Sequence, residues 1–530
     1  MPYSLVQAGD RLYRISPGGV KTDVSLPEGV FVNPLVRARF AVLERQIVGV
    51  GGFTRNIVVD AQDVSARPLS IAGPTAAPTL AATGTGDLQG TYRYQLSFVI
   101  LGVDDRVLSE SPLSPVAGPI TVAGRQVSLT ALETSPLAGV NARRLYRTAD
   151  GGTEYFLAAT IPDNTSTTVV DGVSDYDLAL LPAADALGNP PGTDDLDSFR
   201  LLIAWKDRLW ASPAVAPDDV WFSENRRVYG WSPVNRLTIK PVGQDQIGVT
   251  AFMARRDDLL IGKRRSLWMT RGSTPSTIQV IQIAEAPGPV SQDAALVVHD
   301  IAYYLAEDGV YEVTGEGIRS LTDDTVRPWF TTDDYFERAF FPLAFATWNP
   351  AYDTVQFYLA SAGSMGIDRW IAYDRRRRHW LGPHKTDRFE PTYAGVMDDA
   401  AERRTVVVGS SEGHLYREDE ASAQDDGVPI DLDLLTVAHH ANTPDIEKYW
   451  GELSVFTREE ALGSLAITPH VGALRAPPQP AIAHDLTRGR VRHRRLGTGR
   501  VAQLRFRNAQ LDVPTELYGY EIPYHELGRR

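Results

Sequence analysis

The stretch AALVVHDIAYYLAEDGVYEVTGEGI, residues 294–318, decides the fold of this chain. An apolar run ending at Val298 meets the polar pair His299–Asp300. A second run, Ile301–Ala306, meets Glu307, Asp308 and Gly309, and a short aromatic strand follows at Val310–Tyr311. Short apolar runs between turn-forming residues have the length of strands and fall short of the ten or so residues of a typical helix. Asp300 also interrupts the chain's nearest approach to a membrane helix, which takes about 20 apolar residues.

The same unit recurs on both sides: apolar strand, short charged turn, second apolar strand, aromatic hairpin edge. Earlier copies are FRLLIAWKDRLWASPAVAPDDVWFSE (199–224) and GVTAFMARRDDLLIGKRRSLWMTRG (248–272). Later ones are LAFATWNPAYDTVQFYLAS (343–361) with DRWIAYDRRRRHWLGP (368–383), and YAGVMDDAAERRTVVVGSSEGHLYRED (393–419). Their anchors, Trp210, Trp268, Tyr311, Trp370 and Tyr416, follow one another at irregular spacings of about 43 to 60 residues, the spacing of propeller blades with variable loops. The expected fold class is all-β, a β-propeller-like body of repeated antiparallel sheets. The anchors are expected to pack blade against blade, as large aromatic rings do. The N-terminal hairpin around Leu12–Tyr13 is expected to pair with distant strands and close the ring, which removes exposed sheet edges.

GPTAAPTLAATGTGDLQG (73–90) breaks this composition and reads as a linker. After it, Tyr92, Tyr94, Leu96 and Phe98 share one face under period 2. Strands at RQVSLTAL (125–132), at NARRLYRTADGGTEYFLAAT (141–160) and in NTSTTVVDGVSD (164–175) complete an expected immunoglobulin- or fibronectin-like β-sandwich inserted into the body. The expected domains are 1–72 (first part of the body), 73–180 (inserted sandwich), 199–445 (main blades) and 446–530 (a β-rich closing or docking region).

Hydrophobic residues at 43% and charged residues at 22% are a folded, soluble composition. With no cysteine, disulfides and thiolate zinc sites are excluded. The first residues, MPYSLVQAGDRLYRISPGG, show no signal-peptide pattern. The net charge of -13 is the wrong sign for coating a nucleic-acid backbone.

Eight Asp-Asp pairs, from Asp104–Asp105 to Asp425–Asp426, invite a metal or hydrolase reading. Most fall where hairpins turn, and neighbours on a strand point apart, so turn chemistry explains them. Asp171, Asp175 and Asp177 in DGVSDYD lack the glycine and distal glutamate of a calcium loop. TGTG (83–86) and GVGG (49–52) lack the phosphate-loop lysine and read as turns. Neither catalytic residues nor cofactors are expected. Two basic runs remain: Arg375, Arg376, Arg377 and Arg378, and a C-terminal series with Arg492, Arg494 and Arg495. Without a recognition helix, an interface to acidic protein is the favoured reading, since arginine pairs bidentately with carboxylates.

DRLYRISPGG, KDRLWAS, RRSLWMTRG, DGVYEVTGEGIRSLTD, WNPAYDTVQFYLA and DRWIAYDRRRRHW together resemble the tail nozzle or hub proteins of short-tailed double-stranded DNA bacteriophages. The resemblance implies a virion protein of the tail, assembled in the host cytoplasm, that forms a six-membered ring with copies of itself. The ring would lie beneath the portal and adaptor, carry fibre or plug proteins, and pass double-stranded DNA without sequence-specific binding. It implies no membrane segment. Two other readings stand beside it. A carbohydrate-binding propeller adhesion module would repeat one polar triplet with Trp in every blade. A propeller-type glycoside hydrolase would need converging carboxylates.

Overall fold

The structure, a computed structural model, describes residues 3–60, 65–102, 105–184, 196–232, 234–240, 247–272, 274, 276–285, 287–386, 388–418, 422–473 and 475–528. It divides into two units. The first comprises Met1–Pro383, Pro391–Gly409 and Gly413–Leu415; the second comprises His384–Glu390, Ser410–Glu412 and Tyr416–Arg530.

Antiparallel strands dominate both. The deciding stretch forms a four-stranded meander: Ala295–Val298, Ile301–Ala306, Gly309–Thr314 and Gly317–Ser320. Its second strand is apolar throughout because both faces are covered. Tyr303 and Leu305 enter one core cluster with Phe357 and Ile371, whereas Ala302, Tyr304 and Ala306 enter another with Met253 and Leu260. Period 2 thus sends alternate residues to two neighbouring sheets. Gly309 fills the turn position where only glycine fits: its φ is +156°, and a Cβ would stand 2.1 Å from Thr322 Oγ1.

Four more meanders share this plan. The first runs Arg39–Leu43, Gln46–Val50, Ile57–Asp60, Ala66–Pro68; the second Phe199–Trp205, Arg208–Pro213, Asp219–Phe222, Arg236–Thr238. The third is Ala251–Ala254, Leu259–Lys263, Ser266–Arg271, Gln279–Ala284; the deciding stretch is the fourth; the fifth is Phe345–Asn349, Thr354–Leu359, Arg369–Asp374, His379–Lys385. Their first strands neighbour one another in chain order, and Pro391–Asp398 follows the fifth.

Three first hairpins turn through residues that both have positive φ: Glu44–Arg45, Lys206–Asp207 and His299–Asp300. This is the type I′ geometry, which matches strand twist and usually recruits glycine or asparagine. Here the turn side chains reach a neighbouring meander, the following one for Glu44 and Lys206 and the preceding one for Asp300. Glu44 accepts from Arg226 Nε at 2.5 Å, Lys206 Nζ donates to the Asp257 carbonyl at 2.9 Å, and Asp300 Oδ1 accepts from the Arg256 backbone N–H at 2.7 Å.

The expected ring is corrected. The described sheets form no closed propeller or barrel. The N-terminal hairpin, Ser4–Ala8 with Arg11–Ile15, takes Lys21–Asp23 as its third strand, and Arg11–Ile15 is paired on both sides. Among the described residues the hairpin belongs to this three-stranded sheet and pairs with no distant strand. The aromatic anchors are also out of step: Trp210 lies in the second strand of its meander, but Trp268, Tyr311 and Trp370 lie in the third.

The inserted region is likewise corrected from two sheets to one. Thr79–Leu101 is a 23-residue strand that pairs with Ala117–Thr130 through its first part and with Ala142–Thr148 through its second. Tyr155–Ile161, Thr168–Asp171 and Val107–Glu110 complete a six-stranded sheet. Most of the supposed linker 73–90 therefore belongs to a strand. TGTG is a bulge, not a turn: Thr83 and Thr85 face the consecutive residues Gln126 and Arg125, and Gly84 takes φ +47° between them. Asp104 and the pair Asp194–Asp195 lie outside the described residues.

In the second unit one sheet orders Leu432–Leu435, Val501–Asn508, Ser464–Gly472 and Ile482–Asp485. A second holds Arg490–Gly499, Glu447–Thr457 and Leu517–Glu521, with Tyr524–Gly528 also on Glu447–Thr457. Trp450, Leu453, Leu465, Leu504 and Phe506 fill its core. No helix among the described residues is long and apolar enough to cross a membrane.

Candidate functional site

The strand Arg490–Gly499 gathers the C-terminal arginines. Alternation turns Val491 and His493 inward and leaves Arg490, Arg492 and Arg494 exposed. Arg495 is exposed as well, because the strand is bulged: Ser454 and Glu452 face Arg492 and Arg495, so three residue steps on this strand match two on its partner. Arg490 reaches Glu521 only at 4.0 Å, Arg495 reaches Glu452 at 3.9 Å, and Arg494 donates to the Pro480 carbonyl at 2.8 Å. Among the described residues Arg492 has no carboxylate partner. Exposed pairs at such distances are worth little and leave the charge available.

Arg375, Arg376, Arg377 and Arg378 do not act together. Arg375 is turned inward: it binds Asp353 at 2.5 Å, the Tyr303 hydroxyl at 3.1 Å and His299 Nδ1 at 2.9 Å. It therefore ties the fifth meander to the turn of the fourth. Arg376 and Arg377 are about three-quarters exposed, with Asp353 and Asp374 at 3.5 and 3.6 Å. Arg378 takes the left-handed position of the turn, φ 57°.

Of the aromatic anchors, Trp210 is buried in the cluster between the second and third meanders, and Trp268 packs against it. Tyr311 stacks on Tyr304 at 5.6 Å, and Trp370 on Tyr358 at 5.7 Å. In the second unit Tyr416 stacks on Phe389 at 4.1 Å.

A dense, buried polar constellation escaped the sequence reading. Arg143, Arg144 and Arg147 in the strand Ala142–Thr148 have side chains at most 13% exposed. Arg147 holds Asp171 at 2.8 Å and Asp175 at 2.9 Å, and the Tyr94 hydroxyl donates to Asp171 at 2.9 Å. Glu110 accepts from Tyr146 at 2.6 Å, Ser97 at 2.7 Å and Arg144 at 2.8 Å. Burial and the adjacent carboxylates push the Tyr94 and Tyr146 hydroxyls far above their usual range. Both stay protonated as donors. Two carboxylates of DGVSDYD are thereby committed to Arg147, and Asp177 accepts from Ser174 at 2.8 Å in the helix cap.

His484 is fully buried, with Nδ1 2.9 Å from His493 Nε2 and Nε2 3.1 Å from Thr457 Oγ1. Burial first, and then His493, lowers its pKa; burial lowers that of His493 too. A histidine whose folded pKa lies below its unfolded value of about 6.5 contributes stability that is complete above that value and is lost as pH falls through the folded pKa. Wild-type protein is expected to lose urea resistance between pH 7 and 5, and a His484→Phe variant to lose less. Equal losses would remove the pair as the cause.

Among the described residues no three histidine, aspartate or glutamate side chains converge as a metal site. Asp258 is held by Arg255 in two bonds of 2.7 Å, and Asp399 caps its own turn through the Ala401 and Arg403 N–H groups. Between the third and fourth meanders a cleft of about 710 Å³ is floored by Met269, Ile283, Tyr311 and Ile318.

No protein-family model and no curated protein matches the chain. Solved structures similar to it include PorZ, an essential bacterial surface component of the type-IX secretion system of Porphyromonas gingivalis. That match is 9% identical, covers 98% of this chain and 80% of that one, and has a TM-score of 0.27. Another is the extracellular domain of a putative one-component system of B. thetaiotaomicron, 12% identical, covering 79% of this chain and 51% of that one, with a TM-score of 0.25. These are bacterial surface and extracellular proteins, and neither is a phage tail component; the tail-nozzle resemblance, its role in DNA ejection and its place in a virion stand corrected. The propeller adhesion module and propeller hydrolase fall with the closed propeller they required. At these TM-scores the two matches lend the chain neither fold nor activity.

Proposed function

We propose that the chain is a non-catalytic structural protein that associates with copies of itself, the arginine strand of one copy meeting acidic surface on the next. The observation that carries this is the exposed row Arg490, Arg492 and Arg494 on a chain whose net charge is -13. A local basic strand on an acidic chain is complementary to its own kind, and a head-to-tail contact repeats. Catalysis finds little support in the polar groups described above: Asp258, Asp399, Glu110, Asp171 and His484 are all engaged in turns, ion pairs or core hydrogen bonds.

Sedimentation equilibrium tests this. Wild-type protein is expected to self-associate in dilute buffer and to dissociate as salt shortens the Debye length from about 30 Å at 0.01 M to 3 Å at 1 M. The double variant Arg492→Glu, Arg494→Glu is expected to stay monomeric with unchanged circular dichroism. A wild-type monomer at every salt concentration, or an oligomer indifferent to the double substitution, would sink the proposal.

A further inference from the structure

The fourth strand of each meander is a sheet edge, and such edges are ordinarily blunted by brevity, charge or proline. Four of the five meanders follow this rule. Ala66–Pro68 has three residues with Arg67 and Pro68, and Arg236–Thr238 has three with Arg236. Gly317–Ser320 carries Arg319, and His379–Lys385 carries Pro383 and Lys385. The third meander breaks the rule: its edge, Gln279–Ala284, reads QVIQIA, six residues with three β-branched side chains, no charge and no proline. Ser266–Arg271 pairs with one side of it, and among the described residues no strand pairs with the other. Ile281 is 45% exposed. Gln282 reaches back only to the Ala284 carbonyl, at 3.2 Å.

This edge opens on the 710 Å³ cleft, to which it contributes Ile283 and Ala284. The cleft rim carries Asp257, Asp258, Asp300 and Glu316 against Arg255 and Arg271, a surplus of two negative charges. We infer that Gln279–Ala284 is a docking edge for an extended peptide strand of a partner protein, with apolar side chains entering the cleft and a basic side chain meeting its acidic rim. Strand addition supplies main-chain hydrogen bonds for affinity, and the pockets beside the edge supply selectivity. The inference concerns a surface of the first unit and stands apart from the arginine strand of the second.

The test uses the full chain bearing Arg492→Glu and Arg494→Glu, so that self-association through the arginine strand does not intrude. The probe is a fluorescein-labelled peptide, Lys-Thr-Val-Thr-Val-Thr, followed by anisotropy. Binding is expected, and N-methylation of alternate peptide amides is expected to weaken it at least roughly tenfold, since each main-chain bond contributes about 1 kcal/mol. Ile281→Lys, a substitution of the kind natural edges use, is expected to weaken it similarly. Replacing the peptide lysine by glutamate is expected to weaken binding at low salt. Absent binding, or binding indifferent to both N-methylation and Ile281→Lys, would overturn the inference. Dimerisation of the protein abolished by Ile281→Lys would overturn it in favour of a second copy on the same edge.

Discussion

Replacing Arg147 by alanine is expected to cost about 3–5 kcal/mol of folding stability, because it strands a buried carboxylate. Asp171 has a side chain 1% exposed, and Arg147 is its cationic partner at 2.8 Å. Tyr94 and the Val173 N–H bond the same carboxylate but bring no charge. Loss of the cation also frees Asp175, which is one-third exposed and recovers solvation. The double variant Arg147→Met, Asp171→Leu removes both charges and is expected to regain most of the loss, as apolar replacements of buried ion pairs do. Urea unfolding followed by far-UV circular dichroism measures both. A single variant within 1 kcal/mol of wild type, or a double variant as unstable as the single, contradicts the account.

Trp210→Ala carries the second large effect, about 3–5 kcal/mol for truncating a buried aromatic side chain. Its ring lies 4.9 Å from Phe222 and 5.6 Å from Trp205, in the cluster that also holds Val249, Phe252 and Ile261 of the third meander. Its indole N–H is buried without an acceptor among the described residues, whereas the Trp231 N–H donates to the Val228 carbonyl at 2.8 Å. Trp210→Phe deletes an unsatisfied donor along with some volume; Trp231→Phe deletes a hydrogen bond and leaves the carbonyl behind. The first exchange is therefore expected to be the milder. Urea midpoints of the three variants decide this, and a Trp210→Phe loss exceeding that of Trp231→Phe would refute it.

The antiparallel, turn-rich character of the chain was legible because it is written in neighbours. ALVV, IAYYLA and VYEV lie between turn formers, and hairpin pairing needs nothing further along the chain. Closure was not legible: it depends on which strand a distant edge accepts, and Arg11–Ile15 finds both its partners within twelve residues. The long strand Thr79–Leu101 was hidden by composition. Its glycines and alanines look like a linker, but Gly84 is a bulge and Leu88 is fully buried. The arginine strand was visible as a run of charge, and its bulge was not. Nothing local marks Arg143, Arg144 and Arg147, because their partners, Asp163, Glu110 and Asp171, stand 20 to 34 residues away.

The hairpin turns that reach from one meander to a neighbouring one place two demands on the same residues. Glu44, Lys206 and Asp300 hold a left-handed backbone, which favours glycine, and each also offers a side chain that crosses to a neighbour. Glycine would relax the backbone and sever the link; a β-branched residue would strain the backbone. The tolerated alphabet at these positions narrows to polar residues that visit the left-handed region. Saturation mutagenesis scored for folding would show it as exposed sites that refuse both glycine and valine.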